Sequence, residues 1–231
     1  MQVSAVIAAG GRGKRMNIGF SKQFLNIKGR PILYYTLSTF ESFNMFKEII
    51  LVVGQADFTH AQNILKNYKF MKTRLVNGGN ERQDSVYNGL RALSTQTDIV
   101  VIHDGVRPFV KRDLIKRTID AACEYKAAGA AVPVKDTIKI VENEKIKHTP
   151  DRKTLWAMQT PQTFDYQLIL NAYETAFKNG YYGTDDAVLV ERIGLPVKII
   201  EGAYENIKIT TPEDIVVAEV FVTMGYGDFR R

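Results

Sequence analysis

Four cations and three glycines crowd the stretch that follows the first apolar run. It reads Ala9-Gly10-Gly11-Arg12-Gly13-Lys14-Arg15-Met16, and Lys22-Gln23 comes shortly after. Glycines let a backbone approach a ligand closely, and the N–H groups of such a turn can cradle phosphate oxygens. Arg12, Lys14, Arg15 and Lys22, all within eleven residues, supply charge for the same anion. A tight strand-to-helix turn with solvated basic residues would have a similar composition, but this density of cations favours phosphate. Two familiar phosphate loops do not fit. The P-loop requires Ser or Thr after Gly-Lys, and here Arg15 follows Gly13-Lys14. A dinucleotide fingerprint starting at Gly11 and Gly13 would find Met16 at its third glycine, and the second strand ends Val52-Val53-Gly54 without a ribose-binding carboxylate.

Such a loop needs a scaffold, and the apolar runs provide one. Strands are expected at 3–8, 48–53, 73–76, 99–103 and 130–134, with helices between them near 31–42, 56–68, 81–93 and 112–126. In the third helix Val86, Leu90 and Leu93 recur at i, i+4 and i+7, one helical face, and Asn80 is placed to cap it. This alternation predicts a mostly parallel sheet covered on both faces, with ligands beyond the carboxyl ends of the strands. After Val134 the pattern breaks. Residues 136–147 read as two short strands, 137–141 and 145–147, turning at Glu142-Asn143-Glu144. An isolated hairpin is marginal in water. Two readings stand: a surface flap of its own subunit, or an arm gripping a second copy. The alternation resumes with helices near 166–178 and 185–193 and a strand at 196–201. Thr211-Pro212-Glu213-Asp214 then starts a last helix: cap, proline in the first turn, two carboxylates.

The 231 residues, 45% hydrophobic and 24% charged, fit one α/β domain with a proper core. No segment approaches the ~18 consecutive apolar residues of a membrane span. The start Met1-Gln2-Val3-Ser4-Ala5 lacks the basic opening of a secretory signal, and the single Cys123 excludes an internal disulfide. A cytoplasmic protein is expected. The net charge of +6 suits an anionic partner. Interspersed acidic residues and the lack of a basic-aromatic module argue for small phosphorylated ligands, with neither nucleic acid nor membrane as partner. His60, His103, His148 and Cys123 lie without metal-ligand spacing, so no zinc site is expected.

The glycine loop together with Lys22-Gln23 resembles that of the sugar-phosphate nucleotidyltransferases. The rest of the chain resembles one branch, the 2-C-methyl-D-erythritol 4-phosphate cytidylyltransferases of the non-mevalonate isoprenoid pathway. The matching strings are Gly78-Gly79-Asn80-Glu81-Arg82-Gln83-Asp84-Ser85-Val86, His103-Asp104-Gly105-Val106-Arg107-Pro108 and Pro133-Val134-Lys135-Asp136-Thr137-Ile138-Lys139. They continue through Arg152-Lys153-Thr154-Leu155-Trp156, Gln159-Thr160-Pro161-Gln162, Thr184-Asp185-Asp186-Ala187 and Asn206-Ile207-Lys208-Ile209-Thr210-Thr211-Pro212. Seven strings in family order span essentially the whole chain. Departures are small: Ala8-Ala9-Gly10-Gly11 stands where the family has proline, two alanines and a glycine, Asn80 where it often has aspartate, and Gly105 where it often has alanine.

The resemblance implies a Rossmann-like nucleotidyltransferase fold over 1–231, with a protruding β-arm inserted at about 135–155 that joins a homodimer. It implies CMP transfer from CTP to 2-C-methyl-D-erythritol 4-phosphate, with Mg2+ as cofactor. Arg15 and Lys22 would hold the triphosphate and stabilise charge on the α-phosphate. Ala9, Gly10, Gly11, Gly13, Gly79, Asn80, Arg82, Ser85 and Gly105 would line the nucleotide site. Asp104, at a strand end, would meet magnesium or a substrate hydroxyl, with an ion pair to Arg107 as its plainer role. Thr137, Arg152, Thr160 and Lys208 would cradle the phosphate of the second substrate, and Lys208 would join Arg15, Lys22 and Asp104 in catalysis. His103 is read as structural, and 184–186 as a helix cap. Such a reaction needs no protein nucleophile and no general base, because a phosphate monoester with a second pKa of ~6 is largely dianionic at neutral pH. Two rivals remain: a ribitol-5-phosphate cytidylyltransferase, disfavoured by Leu155-Trp156 and Thr184-Asp185-Asp186-Ala187, and a non-catalytic nucleotide-binding module, which would be expected to lose the cations or Asp104.

Overall fold

The computed structural model describes residues 1–11 and 21–227. The chain begins with β1 (Val3–Ala9), a small antiparallel pair β2 (Asn26–Ile27) and β3 (Arg30–Pro31), and α1 (Ile32–Glu41). There follow β4 (Phe46–Val53), α2 (Phe58–Asn67), β5 (Thr73–Asn77), α3 (Arg82–Ala92), β6 (Ile99–Asp104), α4 (Arg112–Tyr125) and β7 (Ala127–Pro133). The carboxyl half adds β8 (Ile140–Glu142), β9 (Lys145–His148), β10 (Trp156–Asp165), α5 (Tyr166–Lys178), α6 (Ala187–Arg192), β11 (Lys198–Glu201) and α7 (Pro212–Thr223). The elements expected from the sequence are all present, close to their expected bounds except for the first hairpin strand, which was expected at 137–141 and is Ile140–Glu142, leaving Thr137 outside it.

Seven strands form one sheet in the order β11-β7-β10-β6-β1-β4-β5. All run parallel except β10, which is antiparallel to both neighbours. The period of two along β1 sorts its side chains onto two faces. Val3, Ala5, Ile7 and Ala9 pack with Leu33, Leu37 and Phe40 of α1, Ala61 and Ile64 of α2, and Leu114, Ile115 and Ile119 of α4. Val6 packs oppositely, with Val86 and Leu90 of α3, Ile169 and Tyr173 of α5, and Leu189 and Val190 of α6. The chain leaves β1 outward through β4 and β5, then returns to the other side of β1 as β6. Such a reversal opens a crevice at the carboxyl ends of the two strands flanking it, here β1 and β6.

β10 is the one large element that periodicity does not announce. Its run carries Gln159, Thr160, Gln162 and Thr163, all buried, and Pro161, which has no N–H for a ladder. The ladder with β7 shifts register between Met158 and Gln162, so Pro161 falls in an irregularity rather than in regular pairing. The polar side chains find partners inside, as when Thr163 donates to the hydroxyl of Thr118 at 2.9 Å. The β8–β9 hairpin pairs only with itself, and every residue from 135 to 149 is exposed. Its turn places Asn143 (φ 49°) and Glu144 (φ 62°) in the left-handed region, as a two-residue hairpin loop requires.

The third helix lies close on the sheet because Gly89 has no side chain. A Cβ there would fall 2.6 Å from Val6 Cγ1 and 2.8 Å from Val52 Cγ2, both in the packed second core. Gly89→Ala should therefore lower stability by about 1–3 kcal/mol through overpacking, although alanine is favoured by ~1 kcal/mol in a free helix. Urea unfolding measures this, and a variant as stable as the parent would show that α3 can lift without loss.

Candidate active site

Asp104 ends β6, pairs with Ala8 of β1, and is 5% exposed. The Gly105 N–H donates to the Ala8 carbonyl at 2.9 Å, so the carboxylate emerges beside the start of the glycine turn. Three cations converge on it. Lys208 Nζ lies 2.9 Å from Oδ2, Arg82 Nε 3.3 Å from Oδ1, and Arg107 Nε 3.4 Å from Oδ2. Lys208 arrives on the loop before α7, which docks through the Ile209 N–H on the Val106 carbonyl at 2.9 Å. Arg107 braces the same loop by donating to the Asn206 carbonyl at 2.8 Å. Burial by itself would raise the Asp104 pKa, but Arg82, Lys208 and Arg107 together hold the carboxyl well below the usual range. Its ion pair with Arg107 is thus real and is one of three.

Behind Asp104 the polar groups close among themselves. The Asp104 N–H donates to Thr160 Oγ1 at 3.0 Å, and that hydroxyl lies 3.0 Å from His103 Nδ1. His103 Nε2 lies 3.1 Å from the Arg107 carbonyl, which can only accept, so Nε2 carries the proton and Thr160 donates to Nδ1. Burial pushes the His103 pKa down to about 4, and the imidazole is neutral. The expectation that His103 is structural agrees with this geometry. Thr160, expected at the substrate phosphate, has its hydroxyl buried in this chain of bonds.

The start of α3 supplies the second wall. Asn80 is not its cap; Glu81 is, with its N–H donating to Asp84 Oδ2 at 2.9 Å. The Gly79 N–H donates to Ser85 Oγ at 3.1 Å, and a Cβ at Gly79 would sit 2.3 Å from that of Asp84. A Cβ at Gly10 would lie 3.3 Å from the same Ser85 hydroxyl, so both glycine turns lean on Ser85. Arg82 reaches past Asp104 to Asp186, with NH1 at 2.9 Å from Oδ1 and NH2 at 2.7 Å from Oδ2. Burial lowers the Arg82 pKa, but Asp186 and Asp104 overcome it and raise it well above the ordinary value. Lys22 opens a short 3-10 turn (Lys22–Phe24) tied to β1 by Gln23 Nε2, which donates to the Ala9 carbonyl at 2.6 Å. Ser21 and Gln23 both donate to Asp57 Oδ2, at 2.5 and 3.4 Å.

The structure thus gathers Ala9, Gly10, Lys22, Gly79, Arg82, Ser85, Asp104, Gly105 and Lys208 around the ends of β1 and β6; Gly11 follows directly, and Gly13 and Arg15 lie outside the described residues. Thr137 and Arg152 sit on or beside the hairpin, where Arg152 donates to the Lys135 carbonyl at 3.0 Å. Among the described residues no hydrogen bond or ion pair joins either to Asp104 or Lys208. Nor is there, among them, a cluster of three or more His, Cys, Asp or Glu fit to hold a metal. Asp186 is the residue that sequence reasoning passed over as a cap. The capping is done by Asp185, whose Oδ1 accepts from the Val188 N–H at 3.1 Å. Two adjacent carboxylates where one cap suffices was the available signal.

The chain matches the family model for 2-C-methyl-D-erythritol 4-phosphate cytidylyltransferase over residues 3–224. It is 50% identical over 225 residues to the protein of that name from Caldanaerobacter subterraneus subsp. tengcongensis, covering 96% of this chain and 99% of the relative. It is 48% identical over 226 residues to the one from Clostridioides difficile, covering 97% and 95%. Among solved structures, 4-diphosphocytidyl-2C-methyl-D-erythritol synthase from Anaerococcus prevotii superposes with a TM-score of 0.87 at 38% identity, covering 96% of each chain.

Removing the central negative charge leaves buried Arg107 without a carboxylate and facing two further cations, Arg82 and Lys208. Asp104→Asn should lower unfolding stability by about 3–5 kcal/mol, as breaking a buried ion pair does. Chemical denaturation reads this, and an unchanged midpoint would mean that the three cations reach solvent separately.

Proposed function

The chain belongs to the 2-C-methyl-D-erythritol 4-phosphate cytidylyltransferase family, and on that footing we propose that the crevice at the ends of β1 and β6 is where its reaction takes place. The enzyme is a nucleotidyltransferase that transfers CMP from CTP to 2-C-methyl-D-erythritol 4-phosphate, giving 4-diphosphocytidyl-2-C-methyl-D-erythritol and pyrophosphate in isoprenoid precursor synthesis. The observation that carries the assignment of the site is the cluster around Asp104. There Arg82, Arg107 and Lys208 outnumber Asp104 and Asp186, three cations to two carboxylates, beside the glycine turn. A cationic surplus at a topological switch point suits a triphosphate and a phosphate monoester together.

In this reading an oxygen of the dianionic substrate phosphate attacks the α-phosphorus of CTP in line. A new P–O bond forms there, and the bond from α-phosphorus to the bridging oxygen breaks and releases pyrophosphate. Arg15 and Lys22 hold the triphosphate and stabilise the charge that grows on the α-phosphoryl group, while Lys208 orients the attacking phosphate. Ala9, Gly10, Gly11, Gly13, Gly79, Asn80, Ser85 and Gly105 receive the nucleotide through backbone groups and short side chains, and Arg82 adds its positive charge beside them. Asp104 offers a hard carboxylate at the crevice that would fit Mg2+, an ion that takes one or two protein carboxylates and completes its shell with phosphate and water. Bound there with the triphosphate, Mg2+ would neutralise phosphate charge.

We assign the hairpin to a second copy, making the chain one domain with an arm insertion at about 135–155 and a homodimer in solution. The exposed Ile138, Ile140, Val141 and Ile146, on a hairpin that pairs with no other strand among the described residues, support this. Thr137 and Arg152 would then serve the neighbour's crevice with the substrate phosphate. No described helix is long and apolar enough to cross a membrane, and the lone exposed thiol of Cys123 fits a reducing cytoplasm.

Pyrophosphate release from CTP with a panel of polyol phosphates tests the reaction. Turnover should favour 2-C-methyl-D-erythritol 4-phosphate over ribitol 5-phosphate, and the reverse preference would move the chain to the neighbouring activity. Lys22→Ala should lose about ten- to several-hundred-fold in turnover, the range expected for one charge-assisted contact. The shared site has its own test. Lys22→Ala and Arg152→Ala chains, unfolded and refolded together, should recover about a quarter of wild-type activity by random pairing in a two-fold dimer. No recovery, with subunit exchange confirmed by a tag, would return the hairpin to the status of a flap.

A further inference from the structure

We propose that Asp186, held in place by Tyr173, is a positioning residue for nucleotidyl transfer, acting through Arg82 on Asp104; the proposal rests on the crevice being the reaction site. Asp186 is fully buried and clamped from every side. Its two oxygens take the NH1 and NH2 of Arg82, and Oδ1 also accepts from the Tyr173 hydroxyl at 2.5 Å. Its backbone N–H and that of Ala187 both donate to Gln162 Oε1, at 3.1 and 2.9 Å, while Gln162 Nε2 holds the neighbouring Asp185 at 2.8 Å. Gln162 belongs to β10, two residues beyond the Thr160 that holds the Asp104 N–H. One strand therefore fixes Asp186 and Asp104 together.

A bidentate guanidinium–carboxylate pair sets the plane of the guanidinium as well as its position. With NH1 and NH2 committed to Asp186, the remaining Nε is aimed at Asp104 Oδ1. Helix capping does not account for Asp186, because Asp185 does that. Stability does not account for it either, since a buried ion pair is often no better than apolar packing of the same volume. What the pair provides is orientation. Tyr173, whose hydroxyl proton is retained because burial and the adjacent Asp186 raise its pKa well above the ordinary value, is a fixed donor at the far end. The order Tyr173, Asp186, Arg82, Asp104, Lys208 runs from the core of α5 to the mouth of the crevice without a gap.

The test is steady-state kinetics on the full-length enzyme with CTP and 2-C-methyl-D-erythritol 4-phosphate. Wild type must release pyrophosphate; if it does not, the assignment of the crevice fails and this inference with it. Given an active wild type, Asp186→Asn should lower kcat by about ten- to a hundredfold, as loss of an outer-shell partner does, with both KM values within about threefold. A role in folding alone would lower the thermal midpoint and leave kcat per folded molecule unchanged, and that result overturns the proposal. A loss carried wholly by KM overturns it too. If Asp186→Asn does not fold, Tyr173→Phe, which leaves the charge pair intact, decides. A kcat reduced by about two- to tenfold supports positioning, and an unchanged kcat rejects it.

Discussion

A single buried carboxylate facing three cations is the constraint to which the rest of the molecule answers. Asp104 cannot lose its charge without leaving Arg82, Arg107 and Lys208 in mutual repulsion, and Arg82 cannot leave without stripping buried Asp186 of its cation. Each cation arrives on a different segment: the start of α3, the turn after β6, and the loop before α7. The cluster therefore ties three otherwise independent pieces of chain to one strand end. The glycine turns can be tight and the loops irregular because this electrostatic knot fixes where they must converge.

Much of this architecture was legible in the residues. Apolar period and turn chemistry located β1, β4, β5, β6, β7 and the helices between them, since each obeys a local rule of burial on one face. Asp104 was legible as a carboxylate at the end of an apolar strand, an unusual type for that position; the glycine-cation loop was legible as a composition, and its residues 12–20 lie outside the described residues. β10 was hidden because its reasons are not local. A proline and four buried polar side chains make sense only beside β6, β7 and Thr118, none of which is near in sequence. Asp186 was hidden in the same way, by a partner 104 positions distant that no spacing rule connects. Thr160 shows the converse: a hydroxyl in a recognisable string, engaged with His103 and the Asp104 backbone inside the fold.

The antiparallel course of β10 lets one strand serve several parts of the crevice. A parallel strand would bring only its carboxyl end to the crevice, whereas β10 crosses the sheet in the opposite sense. Its Thr160 and Gln162 brace Asp104 and Asp186, its amino end leads back to the hairpin, and its carboxyl end runs directly into α5, which carries Tyr173. The hairpin, the crevice and the buried anchor are thus three stations on one continuous piece of backbone.

The way the hairpin is attached has a consequence for how such a chain can vary over generations. Pro133 and Trp156 lie opposite each other in the ladder between β7 and β10, so the sheet itself clasps the two ends of the intervening segment. Whatever is spliced between those two residues starts and finishes at the same doorway. Closing a longer excursion there costs little, about 0.6 kcal/mol for each doubling of its length. The tip of the segment can therefore change length at little thermodynamic cost, while the strand end that carries Thr160 and Gln162 keeps its register against β6 and β7.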